Sequence, residues 1–452
     1  MSLQQTQPLP GRRGRAWPRF DRGEASHLVR LATPIMLVAL VNMGMSVTDT
    51  VMSAAFGADA LAAVAVGSDA YSIVFYLAAG ILGGLAPFYA QASADGADGR
   101  LRVLRTHGWV LWALVSLVAA PLVWFAPDLL ARAGLNADLL ADGRTYTRAM
   151  ALTMIPMLAI AVYRNRLTSV EQPGVLLKVT LSALPLNALF NYILMHGVGG
   201  WAGFGVTGAG YSSLLVACFI AGCLAVISRR HDGGGLARQL TIDLLWEIIR
   251  VGFPIGIATL AEVGLFLGAT LYAASFGPDA VAAHAVAIRL AGVTFAVSLG
   301  LLQASLVRMA RLGADSPAAD RKELLITTLG VSLIAGVILC LALVIGAPFI
   351  AEGIFPNRID SQLLTVYLIF LLALMELLEP MGAGACGLMR GRKDTRMPML
   401  FSLLGNWGIS APLAILLASG MQMGVLGIWI GLTAGLVGTV VLMLLWLPRH
   451  GR

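Results

Sequence analysis

Phe56-Gly57-Ala58-Asp59-Ala60-Leu61-Ala62-Ala63-Val64-Ala65-Val66 returns 220 residues later as Phe276-Gly277-Pro278-Asp279-Ala280-Val281-Ala282-Ala283-His284-Ala285-Val286. Eight of these eleven positions are identical. Further out, Pro34-Ile35 meets Pro254-Ile255 at the same shift of 220. At a shift of 219, Asn187 meets Asn406, and Gly205-Val206-Thr207-Gly208 meets Gly424-Val425-Leu426-Gly427. Alanine-rich matches arise by chance one at a time. Their near-constant offset makes them one signal, an internal duplication spanning the chain.

The duplicated unit is built for a membrane. Hydrophobic residues make up 58 % of the 452 and charged residues 12 %, about half the charge of a soluble domain; the mean hydropathy is +0.82. A spanning helix needs about 20 apolar residues. The apolar stretches predict spans near 27–55, 60–92, 103–127, 143–166, 174–196, 204–228, 243–275, 279–310, 323–350, 361–389, 396–419 and 423–447. The first, Leu28 to Phe56, exceeds the core of a signal peptide, about 7–15 residues, so it is read as a retained span.

Six spans per repeat return the chain to the same side. The halves therefore share one orientation, related by a pseudo-two-fold axis along the membrane normal. The fold class expected is all-α and polytopic, with two pseudo-symmetric six-helix lobes around a central cleft. Residues 1–26 form an N-terminal tail, 27–228 the first lobe, 229–242 a linker, 243–447 the second lobe and 448–452 a C-terminal tail.

Charge sets the orientation. Of 31 Lys and Arg, only Arg132, Arg144, Arg148 and Arg358 fall on one side, and Arg289 lies within a span. The other 26 share the side of both termini, which is therefore cytoplasmic. The formal charge of +7 thus marks topology rather than nucleic acid. Cys218, Cys223, Cys340 and Cys386 lie in apolar stretches without metal-ligand spacing, and the six His form no catalytic cluster. No P-loop is present. An enzyme is disfavoured, and no cofactor is expected.

Acids within spans are expensive and are functional candidates by default. They are Asp49 in span 1, Asp69 in span 2, Glu262 in span 7, and Glu376 and Glu379 in span 10, three residues apart and so on one helix face. No Lys or Arg lies near them in sequence within these spans. Such a carboxylate can bind Na⁺, carry a proton or attract a cationic compound. Asn187 and Asn191, four apart in span 5, can share a face and offer neutral oxygens beside Asp49.

These residues resemble a family. Thr33-Pro34-Ile35, Thr48-Asp49-Thr50-Val51-Met52 and Leu61-Ala62-Ala63-Val64-Ala65-Val66-Gly67 resemble the first two spans of multidrug and toxin extrusion (MATE) transporters. Gly252-Phe253-Pro254-Ile255 followed by Glu262 resembles their seventh span, and Leu388-Met389-Arg390-Gly391-Arg392-Lys393-Asp394-Thr395 the loop after their tenth. The resemblance, closest to the bacterial NorM-type branch, covers residues 25–445. It implies an inner-membrane antiporter, working as a monomer, that exports lipophilic, often cationic organic compounds against Na⁺ or H⁺. It implies coupling roles for Glu262, Glu379 and Asp49, with Asn187 and Asn191 matching a pair of polar positions in the first lobe; Glu376 and Asp69, as acids within spans, are further supporting candidates. Na⁺ would sit at Asp49, Asn187 and Asn191, or at Glu262 and Glu379. NorM-type members usually carry Asp where Glu379 stands, and some carry Asp at Asn191, so the coupling ion stays open between Na⁺ and H⁺. A major-facilitator carrier would need a basic–acidic loop after span 2, which is absent; a related lipid-linked-sugar flippase would show a basic cavity.

Overall fold

The computed structural model describes residues 19–132, 134, 137–232, 237, 239–313 and 316–449. Most of the N-terminal tail, the middle of the linker and the last three residues lie outside that set. Among the described residues, twelve helices are long and apolar enough to cross a membrane: α1 (Arg22–Ala54), α2 (Val64–Ala94), α3 (Asp98–Trp124), α4 (Gly143–Ser169), α5 (Pro173–His196), α6 (Thr207–Arg229), α7 (Ile242–Phe276), α8 (Pro278–Leu312), α9 (Ala318–Ile354), α10 (Ile359–Gly391), α11 (Arg396–Gly420) and α12 (Val425–Leu447). Each lies within a few residues of its predicted span. A helix satisfies its own backbone hydrogen bonds, which hydrocarbon cannot do for it. The longest, α9, has 37 residues, more than the hydrocarbon thickness of about 30 Å requires.

The duplication is visible in the backbone. Gly57 and Gly277, paired in the repeat, take φ of 104° and 95° and cap equivalent helical stretches that begin at Ala58, ahead of the apolar span of α2, and at Pro278. Gly205 and Gly424 take φ of 59° and 58° before α6 and α12. These left-handed conformations carry no Cβ penalty only in glycine, so the motif's glycines are turn residues.

Packing repeats as well. α2 packs on α4 and α4 on α6; correspondingly α8 packs on α10 and α10 on α12. The lobes meet along two related seams, α2 with α7 and α1 with α8. At the first seam, Gly80 and Gly84 face Gly252 and Gly256. A Cβ at Gly80 would stand 2.3 Å from Gly256 Cα, and one at Gly84 2.5 Å from the Ile248 carbonyl. At the second, Gly300 lies where a Cβ would be 2.9 Å from the Ala32 carbonyl and 2.4 Å from Met36 Cγ. Gly80 and Gly300 are 220 apart, as are Ala32 and Gly252, so the two seams are images of each other. Small residues spaced by four let two backbones approach closely. Both seams lie in the half of the bundle nearer the chain's N-terminal end.

Candidate ion and substrate site

Asp49 stands late in α1, where α5 packs beside it. Asn187 and Asn191, one turn apart on α5, are 2 % and 0 % exposed. Their Nδ2 groups both donate to Asp49 Oδ1, at 3.0 and 2.5 Å, and Ser213 of α6 hydrogen-bonds the same carboxylate. The Oδ1 atoms of both amides are buried with no partner among the described atoms. An amide can exchange its oxygen and nitrogen by turning over. The pocket can therefore give Asp49 two donors, which suits a bare carboxylate, or present two oxygens beside it, which suits a cation. The expected shared face is found, with the nitrogens rather than the oxygens turned inward.

The second lobe holds the other set. Glu376, 3 % exposed, accepts from Thr294 of α8 at 2.5 Å through Oε1, while Oε2 is buried without a partner. Glu379, on the next turn, lies within electrostatic reach of both Glu376 and Glu262. Pro380 follows inside the helix. Lacking an N–H, it leaves the carbonyl of Glu376, four residues back, without its helical donor. That carbonyl packs on α9, where a Cβ at Gly336 would lie 3.0 Å from it. α7 brings Glu262 to the cluster. Trp407 of α11 donates to the carbonyl of its neighbour Ala261 at 3.1 Å, from a π-helical turn, Leu404–Ser410. Such turns re-aim side chains and recur at functional sites.

Two groups reach Glu262 that the sequence did not attach to it. Arg390, at the end of α10, acts on it electrostatically; the chain's absence of a neighbouring basic residue is thus partly made good through space. Tyr76 of α2 does so from the other lobe. Arg390 served in the sequence as a topology marker and as part of the motif after span 10, not as a partner of Glu262, and nothing in the chain pointed to Thr294, Tyr76, Ser213 or Trp407. Asp69 is exposed on α2 and joins neither cluster among the described contacts.

The two sets sit in separate lobes. Among the described residues no three His, Cys, Asp or Glu side chains are placed to hold a metal ion. A cation here would need amide, hydroxyl or carbonyl oxygens alongside the carboxylates. In a medium of low dielectric, neighbouring carboxylates repel, and a cation or proton between them relieves that repulsion. The second lobe can therefore take up positive charge, from an ion or from an organic cation.

A family model described as MatE matches residues 34–193 and 254–416, one match in each half. The chain is 32 % identical over 439 residues to "Probable multidrug resistance protein NorM" of Bradyrhizobium diazoefficiens, covering 93 % of each chain. It is 30 % identical to the protein of the same name from Brucella suis, over 93 % of this chain and 92 % of that one. Among solved structures it superposes on a MATE protein in complex with MaL6 with a TM-score of 0.85 at 18 % identity, covering 95 % and 96 % of the two chains. The eukaryotic MATE transporter AtDTX14 gives 0.82 at 19 % identity, covering 94 % and 95 %.

Proposed function

This chain belongs to the MatE family of multidrug transporters, and from that membership we propose that it is a secondary active exporter of organic, often cationic compounds, driven by antiport of Na⁺ or H⁺. Its lobes alternate access between the two sides of a bacterial inner membrane. It is a transporter rather than an enzyme, works as a monomer and has both termini in the cytoplasm. With that orientation, the glycine seams close the cytoplasmic half, so the conformation is the outward-facing one.

What supports the reading most is that Glu262 and Glu379 lie within electrostatic reach of each other in the second lobe, with Tyr76 of the first lobe within reach of Glu262. Positive charge relieves the pair whether it arrives as an ion from outside or as a drug from inside. An ion and a drug that use the same carboxylates exclude each other, and exclusion is what couples the two flows. The Asp49, Asn187 and Asn191 pocket is the second ion site. The driving force suffices: one charge crossing 100 mV is worth about 2.3 kcal/mol, roughly a fifty-fold gradient.

The test is efflux of a fluorescent cationic compound from vesicles holding the purified protein, with Na⁺ and pH gradients imposed separately. Efflux that follows one gradient, and stops when it is collapsed, names the ion. Efflux indifferent to both refutes antiport.

A further inference from the structure

At the N-terminal end of the bundle, three elements meet over one guanidinium. Arg308, near the end of α8, is 6 % exposed. Its Nε and Nη2 donate to Glu24 Oε1 and Oε2 at 2.6 and 2.9 Å, a two-pronged pair. Its Nη1 donates to Glu171 Oε1 at 2.9 Å. Glu24 lies in the first turn of α1, and Glu171 between α4 and α5. Both acids thus belong to the first lobe and the arginine to the second. Arg311, one turn on, stands 3.5 Å from Glu171 and donates to Ser93 of α2 at 3.2 Å. His27 lies 3.4 Å from the other oxygen of Glu171.

We propose that Arg308, clasped by Glu24 and Glu171, is a latch that holds the cytoplasmic end of the lobes shut and must be broken and remade in each transport cycle. This rests on the alternating-access reading above. Three features carry it. All the bonds that Arg308 makes to Glu24 and Glu171 cross between the lobes, and of the cluster's contacts His27 with Glu171 lies within the first lobe. They lie beyond the glycine seams, at the end where inward opening would separate α1 and α8. The guanidinium's planar fork matches the carboxylate of Glu24, giving a short, directional bond that a small rigid-body rotation disrupts completely.

The physics makes such a latch reversible. The three side chains are nearly dry when the lobes meet. Once the lobes part, water reaches all of them, and hydration offsets the lost bonds. The latch therefore weights the equilibrium without freezing it. Removing one partner while the lobes stay closed is different, since it leaves the remaining charge buried and uncompensated, which is strongly unfavourable. Loss of either side should therefore shift the population toward the open form. Glu171 adds to the geometry, since its backbone sits at φ 60°, a conformation a non-glycine residue holds only where its surroundings enforce it.

The experiment places spin labels at Asp98 and Lys322, exposed positions at this end, one in each lobe, and reads their distance in lipid nanodiscs. Wild-type protein should show two distance populations whose balance moves with Na⁺, pH and drug. Arg308→Gln, and separately the double variant Glu24→Gln with Glu171→Gln, should each raise the long-distance population at least about tenfold relative to the short one. Arg308→Lys, which keeps the charge but not the fork, should fall between. Size exclusion and thermal unfolding identify the variants that are folded, and the double variant keeps the test open should loss of the arginine prevent folding. If the wild type shifts between populations and the folded variants match it, the latch is wrong. If no condition moves the wild type, alternating access fails and the latch falls with it.

Discussion

Gly252→Ala tests whether the glycine seam sets the closed state. A Cβ at this position would lie 2.0 Å from the Ile81 carbonyl oxygen, 2.8 Å from its carbon and 2.9 Å from its Cα. All three are backbone atoms of α2, so no side chain can swing aside. Contacts below 3.0 Å are essentially never seen for a real Cβ, so α2 and α7 must separate by at least about 1 Å at this crossing. Overpacking of a tight interface costs about 1–3 kcal/mol. On the alternating-access mechanism proposed above, only the closed state bears that cost, since opening takes α2 away from α7. The ratio of closed to open protein should therefore fall by about 5- to 150-fold. Gly268→Ala is the control on the same helix, because a Cβ there meets nothing within 4 Å. Distances between labels at Asp98 and Lys322, in both variants and the wild type, report the ratio directly. A folded Gly252→Ala protein with the wild-type distribution would refute the idea that close backbone approach at this seam governs closure.

Glu262→Gln and Glu379→Gln should each abolish ion-coupled efflux in vesicles while leaving folded protein in the membrane, and Glu379→Asp should retain much of it; wild-type efflux in both Gln variants would make these acids packing residues. Titration of a fluorescent cationic drug against Na⁺ and then pH should show reciprocal weakening, with the ion lowering drug affinity by the factor by which drug lowers ion affinity. Cysteines at Gly200 and Asp232 should be labelled from outside and inside the cell respectively; one side for both would overturn the topology. Burial alone would raise the Glu171 carboxyl, but His27, Arg311 and Arg308 outweigh it and hold the group at about 2 rather than 4.5. Because the folded value is the lower one, the latch's contribution to stability should be complete above pH about 4.5 and lost as pH falls toward 2. Thermal unfolding in detergent should then show wild type and Glu171→Gln converging over that range.

The class, the spans and the duplication were legible in the chain, because each is written in local terms. Hydrocarbon demands about 20 apolar residues per crossing, and such runs are read directly from the chain. The repeat at 220 carried even backbone detail, since only glycine suits the left-handed turns at Gly57 and Gly277. The acids were legible for the same reason: a carboxylate in an apolar span stands out wherever the span ends up. What surrounds them was not legible. That Asn187 and Asn191 meet one oxygen of Asp49, that Thr294 holds Glu376, and that Arg390 and Tyr76 reach Glu262 depend on how helices distant in sequence cross and rotate. Those crossings are decided by backbone approach at Gly80, Gly84, Gly252, Gly256 and Gly300, and glycine in a membrane helix looks the same in sequence whether it faces lipid or another backbone. The latch is the clearest case. Arg308, Glu24 and Glu171 were a topology marker and two unremarked acids until the tertiary structure put α1, α8 and the turn before α5 at one end of the bundle. Only there do their charges come close enough, and dry enough, to matter.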